Sequence, residues 1–197
     1  MHEHALGEWE PAVPESRELL GWSLPESSED IPSLAWLVKR LRDSRVDWRL
    51  LESLVRFDAA HYSRRVLART DACELLVACW LPGQASLVHD HGGSHGAALL
   101  VRGELKETRY AWGGDRLQPA LACKAAEGDV MVERPDTIHR VVNPARHGAV
   151  SLHLYAPPMR GMTPYDARGV PGRTRLLRPA RPPGGGGAGR RRRPRAG

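Results

Sequence analysis

Three histidines stand at spacings that suit one metal ion. His89 and His91 flank Asp90 in Val88-His89-Asp90-His91, and His139 lies in Thr137-Ile138-His139-Arg140. Side chains alternate along a strand, so His89 and His91 project to one face and Asp90 to the other; a neighbouring strand can bring the third nitrogen. A lone His-X-His pair carries little weight, because metal affinity needs a converging third ligand. By residue type alone three imidazoles suit zinc as well as iron, and first-row affinity trends do not choose between them. His95 is open as a fourth ligand, an orienting partner or an exposed side chain. His2, His4, His61 and His147 have no partner pattern and are expected to face solvent. Ser151, His153 and Tyr155 also alternate, so they share one face of another candidate strand.

These residues need strands to hold them. Apolar residues at helical intervals across 30–54 predict two short helices broken near Asp43-Ser44-Arg45. From His61 onward the pattern turns to short β-like runs: Glu74–Trp80, Gly96–Arg102, Leu105–Trp112, Val130–Glu133 and Ala149–Tyr155. Gly83, Gly92-Gly93, Gly113-Gly114, Gly128 and Asn143-Pro144 punctuate them as in an antiparallel barrel or double-sheet jelly roll. The fold class expected is all-β with a short helical N-terminal region. Residues 1–60 would form that helical segment, 61–178 the catalytic β-domain, and 179–197 a disordered tail rich in glycine and arginine.

Charge separates the tail from the body. Ten of the 29 basic residues, all arginine, follow Asp166 with no acidic residue among them. Residues 1–167 hold 19 basic against 23 acidic side chains, so the overall +6 becomes −4 in the body. A nucleic-acid-binding domain carries its basic patch on the folded surface, which argues against such a partner except through the tail. No stretch has the apolar length to span a bilayer, and Met1-His2-Glu3-His4 does not open a secretory leader. Cys73, Cys79 and Cys123 are odd in number and widely spaced, as expected of reduced interior residues. Together these features predict a cytoplasmic protein, read as a monomer.

The metal segments resemble the two motifs of the cupin superfamily. Gly83, His89, His91, Gly96 and Gly103 match the first at every position except the one that is usually glutamate, where Gly96 stands. Gly128, His139 and Asn143 match the second, with Pro135 one place later than in the common pattern. The resemblance is closest to thiol dioxygenases, and within them to cysteine dioxygenase type I. It runs from about Tyr62 to Pro158 and includes Ser94-His95-Gly96, Gly103-Glu104-Leu105-Lys106-Glu107-Thr108 and Ser151-Leu152-His153-Leu154-Tyr155-Ala156-Pro157-Pro158.

That resemblance implies a cupin-type barrel (jelly roll) and an Fe(II) centre held by His89, His91 and His139. Three neutral imidazoles leave the iron its full charge, which favours an anionic thiolate, and the product of oxidising L-cysteine with O2 would be cysteine sulfinate. The resemblance assigns Tyr155 to hydrogen bonding and proton management, with His153 and Ser151 supporting it. Arg64 matches the arginine that pairs with the substrate carboxylate, where a guanidinium fork makes two charge-assisted bonds, and Tyr62 would reinforce it. Arg65 is the ordinary surface neighbour. Mammalian members carry a cysteine at the Gly96 position, linked to the tyrosine matching Tyr155, and a cysteine at the Met162 position. Glycine excludes the link, and Met162 is expected to alter the pocket. Two other readings stand: oxidation of 3-mercaptopropionate, whose enzymes use glutamine in place of Arg64, and a cupin that binds a metal or small ligand without catalysis.

Overall fold

The computed structural model describes residues 19–166, 168–173 and 175–176. The expected tail, 179–197, lies outside the described residues, as do His2 and His4. Two helices form where apolar spacing places them. Helix α1 (Leu34–Asp43) starts at Ser33, whose hydroxyl oxygen accepts from the Trp36 amide at 3.2 Å. Helix α2 (Trp48–Leu54) starts at Asp47, whose carboxylate accepts from the Arg49 amide at 2.9 Å. Each cap satisfies an amide that the first helical turn leaves unpaired. Leu37, Leu41, Leu51 and Leu54 point into the core. Among the described residues no helix is long and apolar enough to cross a membrane.

The remaining chain is strand and turn. In order it forms β1 (Ser63–Arg69), β2 (Glu74–Trp80), β3 (Val88–His89), β4 (His95–Arg102), β5 (Glu104–Gly113), β6 (Arg116–Ala126), β7 (Val130–Glu133), β8 (Ile138–Val142) and β9 (Ala149–Ala156). Three short strands follow, β10 (Gly161–Met162), β11 (Pro164–Tyr165) and β12 (Arg175–Leu176). One five-stranded sheet has the spatial order β1-β2-β9-β4-β7 and the other β11-β3-β8-β5-β6; β10 pairs with β12. Every pairing is antiparallel. The all-β expectation holds, in its double-sheet jelly-roll form rather than as a closed barrel.

β6 is the longest of the strands absent from the runs read in the sequence. It is mostly exposed and contains Pro119, which removes a ladder amide and weakens any strand signal. It forms as the outer edge of its sheet, where a proline is tolerated, and its ladder with β5 slips at Arg109/Tyr110.

β2 and β9 are buried at every position because both faces of their sheet are covered. Leu75, Val77, Cys79, Val150, Leu152 and Leu154 pack with the helical leucines on one face. Leu76, Ala78, Trp80, Ala149 and Tyr155 face the opposite way, with Leu105, Met131 and Met159. The period of two therefore splits each strand into a structural half and a half available for chemistry. Motif residues Gly103 and Asn143 serve the frame. Gly103 turns β4 into β5 at φ +87°, and a Cβ there would meet Ala149 at 2.9 Å. Asn143 is fully buried; its amide nitrogen donates to the carbonyls of Trp80 at 3.0 Å and His147 at 2.8 Å.

Candidate metal centre

Register brings the three histidines together. His89 ends β3 and sits directly opposite His139 on β8, and His91 follows just beyond the strand. Their ring centroids are 4.7–5.1 Å apart, and one nitrogen from each lies within 4.8 Å of the others. All three are buried. Asp90 points away, as alternation requires, and accepts from the Tyr165 hydroxyl at 2.8 Å and the Thr163 amide at 3.2 Å. It ties the histidine loop to the chain that follows the barrel.

Hydrogen bonds behind two of the rings set which nitrogen faces inward. The His89 Nδ1–H donates to the Leu87 carbonyl at 2.9 Å, and the His139 Nδ1–H to Glu107 Oε1 at 2.8 Å. Each leaves Nε2 with its lone pair directed to the centre. Burial, then the neighbouring imidazoles, hold His89 and His91 well below the ordinary histidine value, so both are neutral and able to ligate. Glu107 lies on β5, where it also accepts from Arg109 Nη2 at 3.1 Å and the Cys123 thiol at 3.4 Å. Burial raises its carboxyl, but the hydrogen bonds from His139 and Arg109 outweigh that and bring it to about 2. Three imidazoles converging in a buried site fit a divalent first-row metal.

The expected tyrosine face also assembles. Ser151, His153 and Tyr155 share the inner face of β9, with Ser151 Oγ 2.8 Å from His153 Nε2 and His153 Nδ1 3.1 Å from Tyr155 Oη. Trp80 Nε1–H donates to Ser151 Oγ at 3.1 Å, which leaves the serine hydroxyl hydrogen for another partner. An indole only donates, so the serine hydroxyl is free to donate to His153 Nε2 and the His153 Nδ1–H to Tyr155. Burial lowers His153 to about 4, consistent with that neutral tautomer. Burial and then the Glu133 carboxylate raise the Tyr155 hydroxyl well above its usual value, with Arg64 opposing. Tyr155 is therefore a protonated phenol, hydrogen-bonded to the Glu133 carboxylate at the edge of the pocket.

Arg64 and Tyr62 enter from β1 and the residue before it. Arg64 pairs across the ladder with Ala78, on the inner face, and lines the same pocket as the histidines, Tyr62, His153 and Tyr155. The Tyr62 ring stacks on Trp80 at 4.2 Å and 5°. Arg64 Nη2 lies 4.0 Å from the sulfur of Met159. Met162 is buried but does not line this pocket, so the methionine that shapes the arginine's surroundings is Met159. His95 is neither ligand nor idle: its Nε2–H donates to the Pro32 carbonyl at 2.7 Å and ties β4 to the helical segment. His61 is half-buried rather than solvent-facing, and Cys123 is half-exposed rather than interior.

Two carboxylates at the site escape sequence reasoning, Glu107 and Glu133. Glu133 ends β7, directly opposite Gly96 on β4, and is 1 % exposed. Its Oε2 lies 3.1 Å from His91 Nε2, and its Oε1 4.0 Å from His153 Nδ1. A Cβ at position 96 would stand 2.5 Å from the Tyr155 ring and 3.3 Å from Glu133 Oε2. Glycine is what lets the ring and the carboxylate occupy this corner. The available signal was alternation: Leu105, Glu107 and Arg109 share one face of β5, and Met131 and Glu133 share one face of β7, with the apolar member of each set in the core.

The family model for cysteine dioxygenase type I matches residues 27–168. The chain belongs to that family. It is 31% identical over 141 residues to cysteine dioxygenase type 1 of Danio rerio, covering 67% of this chain and 68% of that protein. It is 34% identical over 122 residues to the Homo sapiens protein of the same name, covering 57% of this chain and 60% of that protein. The cysteine dioxygenase match begins ahead of α1, so the helical segment belongs to the family region along with the barrel. A Klebsiella pneumoniae protein with a double-stranded β-helix domain aligns with a TM-score of 0.52 at 18% identity, over 63% of this chain and 99% of that one, and supports the fold. Membership in the cysteine dioxygenase family makes the chain a thiol dioxygenase, and its three histidines form a cluster that could hold a metal ion.

Proposed function

We propose that this protein oxidises the thiol of L-cysteine with O2 to cysteine sulfinate, using Fe(II) held by His89, His91 and His139. The observation that carries the reading is one buried pocket lined by three imidazoles, a guanidinium and a protonated phenol. Both oxygen atoms of O2 end on sulfur, which loses the electrons that O2 gains; the thiol proton is released and no reductant is consumed. Iron held by the imidazoles supplies the open coordination positions and the redox change through which a thiolate and O2 react.

The chain's own residues do the rest. Arg64 offers the substrate carboxylate a two-pronged charge-assisted contact, and its inward position is braced by Met159. Tyr155 donates from Oη while receiving from His153 Nδ1, so the phenol is oriented and kept protonated. Ser151 and Trp80 hold His153 in the tautomer this requires. The three free cysteines suit a reducing compartment, which supports reading the enzyme as cytoplasmic; it is also read as a monomer.

Oxygen uptake by iron-loaded protein across a panel of cysteine, 3-mercaptopropionate and cysteamine tests the reading. Cysteine should be the preferred substrate. Arg64→Ala should raise KM for cysteine by roughly 10- to 100-fold, the worth of a hydrogen bond to a charged group, while leaving cysteamine unaffected. Absence of thiol-dependent oxygen uptake would leave a ligand-binding cupin; unchanged cysteine kinetics in the variant would reject the role of Arg64.

A further inference from the structure

Arg64 is placed by residues it does not touch. Among the described residues its guanidinium makes one hydrogen-bond contact, Nη2 to the Met159 sulfur at 4.0 Å, so its remaining donors are open to a ligand. A second arginine holds Met159 in turn. Arg69 Nη2 donates to the Met159 carbonyl at 2.8 Å, and Arg69 Nη1 lies 3.0 Å from Glu74 Oε2. Glu74 is 1 % exposed and Met159 is fully buried.

A β-bulge makes the arrangement possible. Arg64 and Arg69 are an odd number of residues apart on β1, which in a regular strand would send them to opposite faces. The ladder with β2 shifts between Val66 and Ala68, and beyond the shift Arg69 pairs with Glu74, as Arg64 pairs with Ala78 before it. Glu74 and Ala78 are an even number apart on β2, whose pairing with β9 is unbroken, so they share the inner face with their partners. The extra residue therefore returns Arg69 to the side of the sheet that carries Arg64.

Charge acts in the same direction. A carboxylate as deeply buried as Glu74 is costly unless paired, and this one attracts both Arg69 and Arg64. We propose that Arg69 and Glu74 are a positioning pair for thiol selectivity: they fix Met159, and with it Arg64, where the guanidinium meets the carboxylate of a thiol substrate. This rests on Arg64 being the partner of that carboxylate. Neither Arg69 nor Glu74 lines the pocket, so both act through Arg64.

Removing Arg69 alone would strand a buried carboxylate. The double variant Arg69→Met/Glu74→Leu replaces the pair by apolar groups and should leave the thermal midpoint close to that of wild type. Binding of L-cysteine and of cysteamine, which lacks the carboxylate, is measured by calorimetry under argon on iron-loaded protein, where no turnover occurs. The double variant should bind cysteine roughly tenfold more weakly, about the worth of a hydrogen bond to a charged group, and cysteamine as wild type does. With oxygen admitted, KM for cysteine should rise by the same factor while kcat stays within about twofold. In an Arg64→Ala background the two changes should weaken cysteine binding no further, the non-additivity of residues that act through a shared contact. Arg69→Lys keeps the charge beside Glu74 but loses the fork that also reaches Met159, and should lower the preference for cysteine even if the double variant fails to fold. A wild-type ratio of cysteine to cysteamine affinity in these variants overturns the proposal, as does a full further loss in the Arg64→Ala background. Wild-type protein that binds both thiols equally would instead overturn the carboxylate role of Arg64, a separate result.

Discussion

His153 shows how a single buried side chain couples the site to pH. Its value falls from 6.5 to about 4 because the charged imidazole loses hydration, and His89 and His91 are lowered for the same first reason. In the metal-free protein the unfolded chain takes up protons below about pH 6.5 that the fold cannot accept, so stability is full above that pH and is lost as acid is added. For His153 alone the shift amounts to about 3 kcal/mol by pH 4. Glu107 adds to the same trend lower down: its contribution is present above its ordinary 4.5 and is lost as pH falls toward about 2. Thermal unfolding of metal-free protein should therefore be level between pH 7 and 8 and fall steadily below 6.5. A midpoint unchanged down to pH 5 would mean these imidazoles are not buried neutral. The histidines and Tyr155 were legible because their spacing is set by strand period and by motifs. Glu107 and Glu133 were not, since a carboxylate on an alternating strand reads as solvent-facing until the pairing of strands shows which face is covered.

A strand is the unit on which structure and chemistry divide. On β9, Leu152 and Leu154 are fully buried against the helical layer, while Ser151, His153 and Tyr155 between and beside them face the pocket. Leu152→Ala should thus lower unfolding free energy by about 2–5 kcal/mol, through lost burial and the cavity left behind, with little change in the ratio of kcat values for different thiols. Ser151→Ala removes no large apolar contact and should instead lower kcat by disturbing the tautomer of His153; guanidinium unfolding and oxygen uptake on both variants separate the two effects. A Leu152→Ala protein as stable as wild type would contradict the two-faced reading of β9. The runs at Glu74–Trp80 and Val130–Glu133 could be read to the residue because turn residues bound them. β6 could not, because Pro119 and exposed side chains conceal a strand that only pairing with β5 creates. Met162 illustrates the same limit at the pocket: the family resemblance suggested that it shapes the pocket, whereas packing gives Arg64 its contact with Met159.

At the scale of the whole molecule, charge and chemistry lie in different parts of the chain. Every residue placed at the centre falls between Tyr62 and Tyr155, and the helices that cover the outer face of the sheet begin at Leu34. The arginine-rich segment beyond residue 181 carries five of the ten arginines that follow Asp166 plus none of the acidic residues. The proposed substrate, L-cysteine, carries an ammonium as well as a carboxylate and has almost no net charge at neutral pH, so a strongly basic tail has little to steer, and such steering is in any case screened beyond about 8–10 Å at ordinary ionic strength. A chain ending at residue 181 should therefore keep its kcat, metal content and unfolding midpoint at 0.15 M salt, and lose at most a small part of kcat/KM at low salt. It should also elute far earlier from a cation-exchange column, because the sequence isoelectric point of about 9.7 depends on those arginines. A large fall in kcat on truncation would show that the tail reaches the pocket and would reject the separation of a catalytic body from a charged extension.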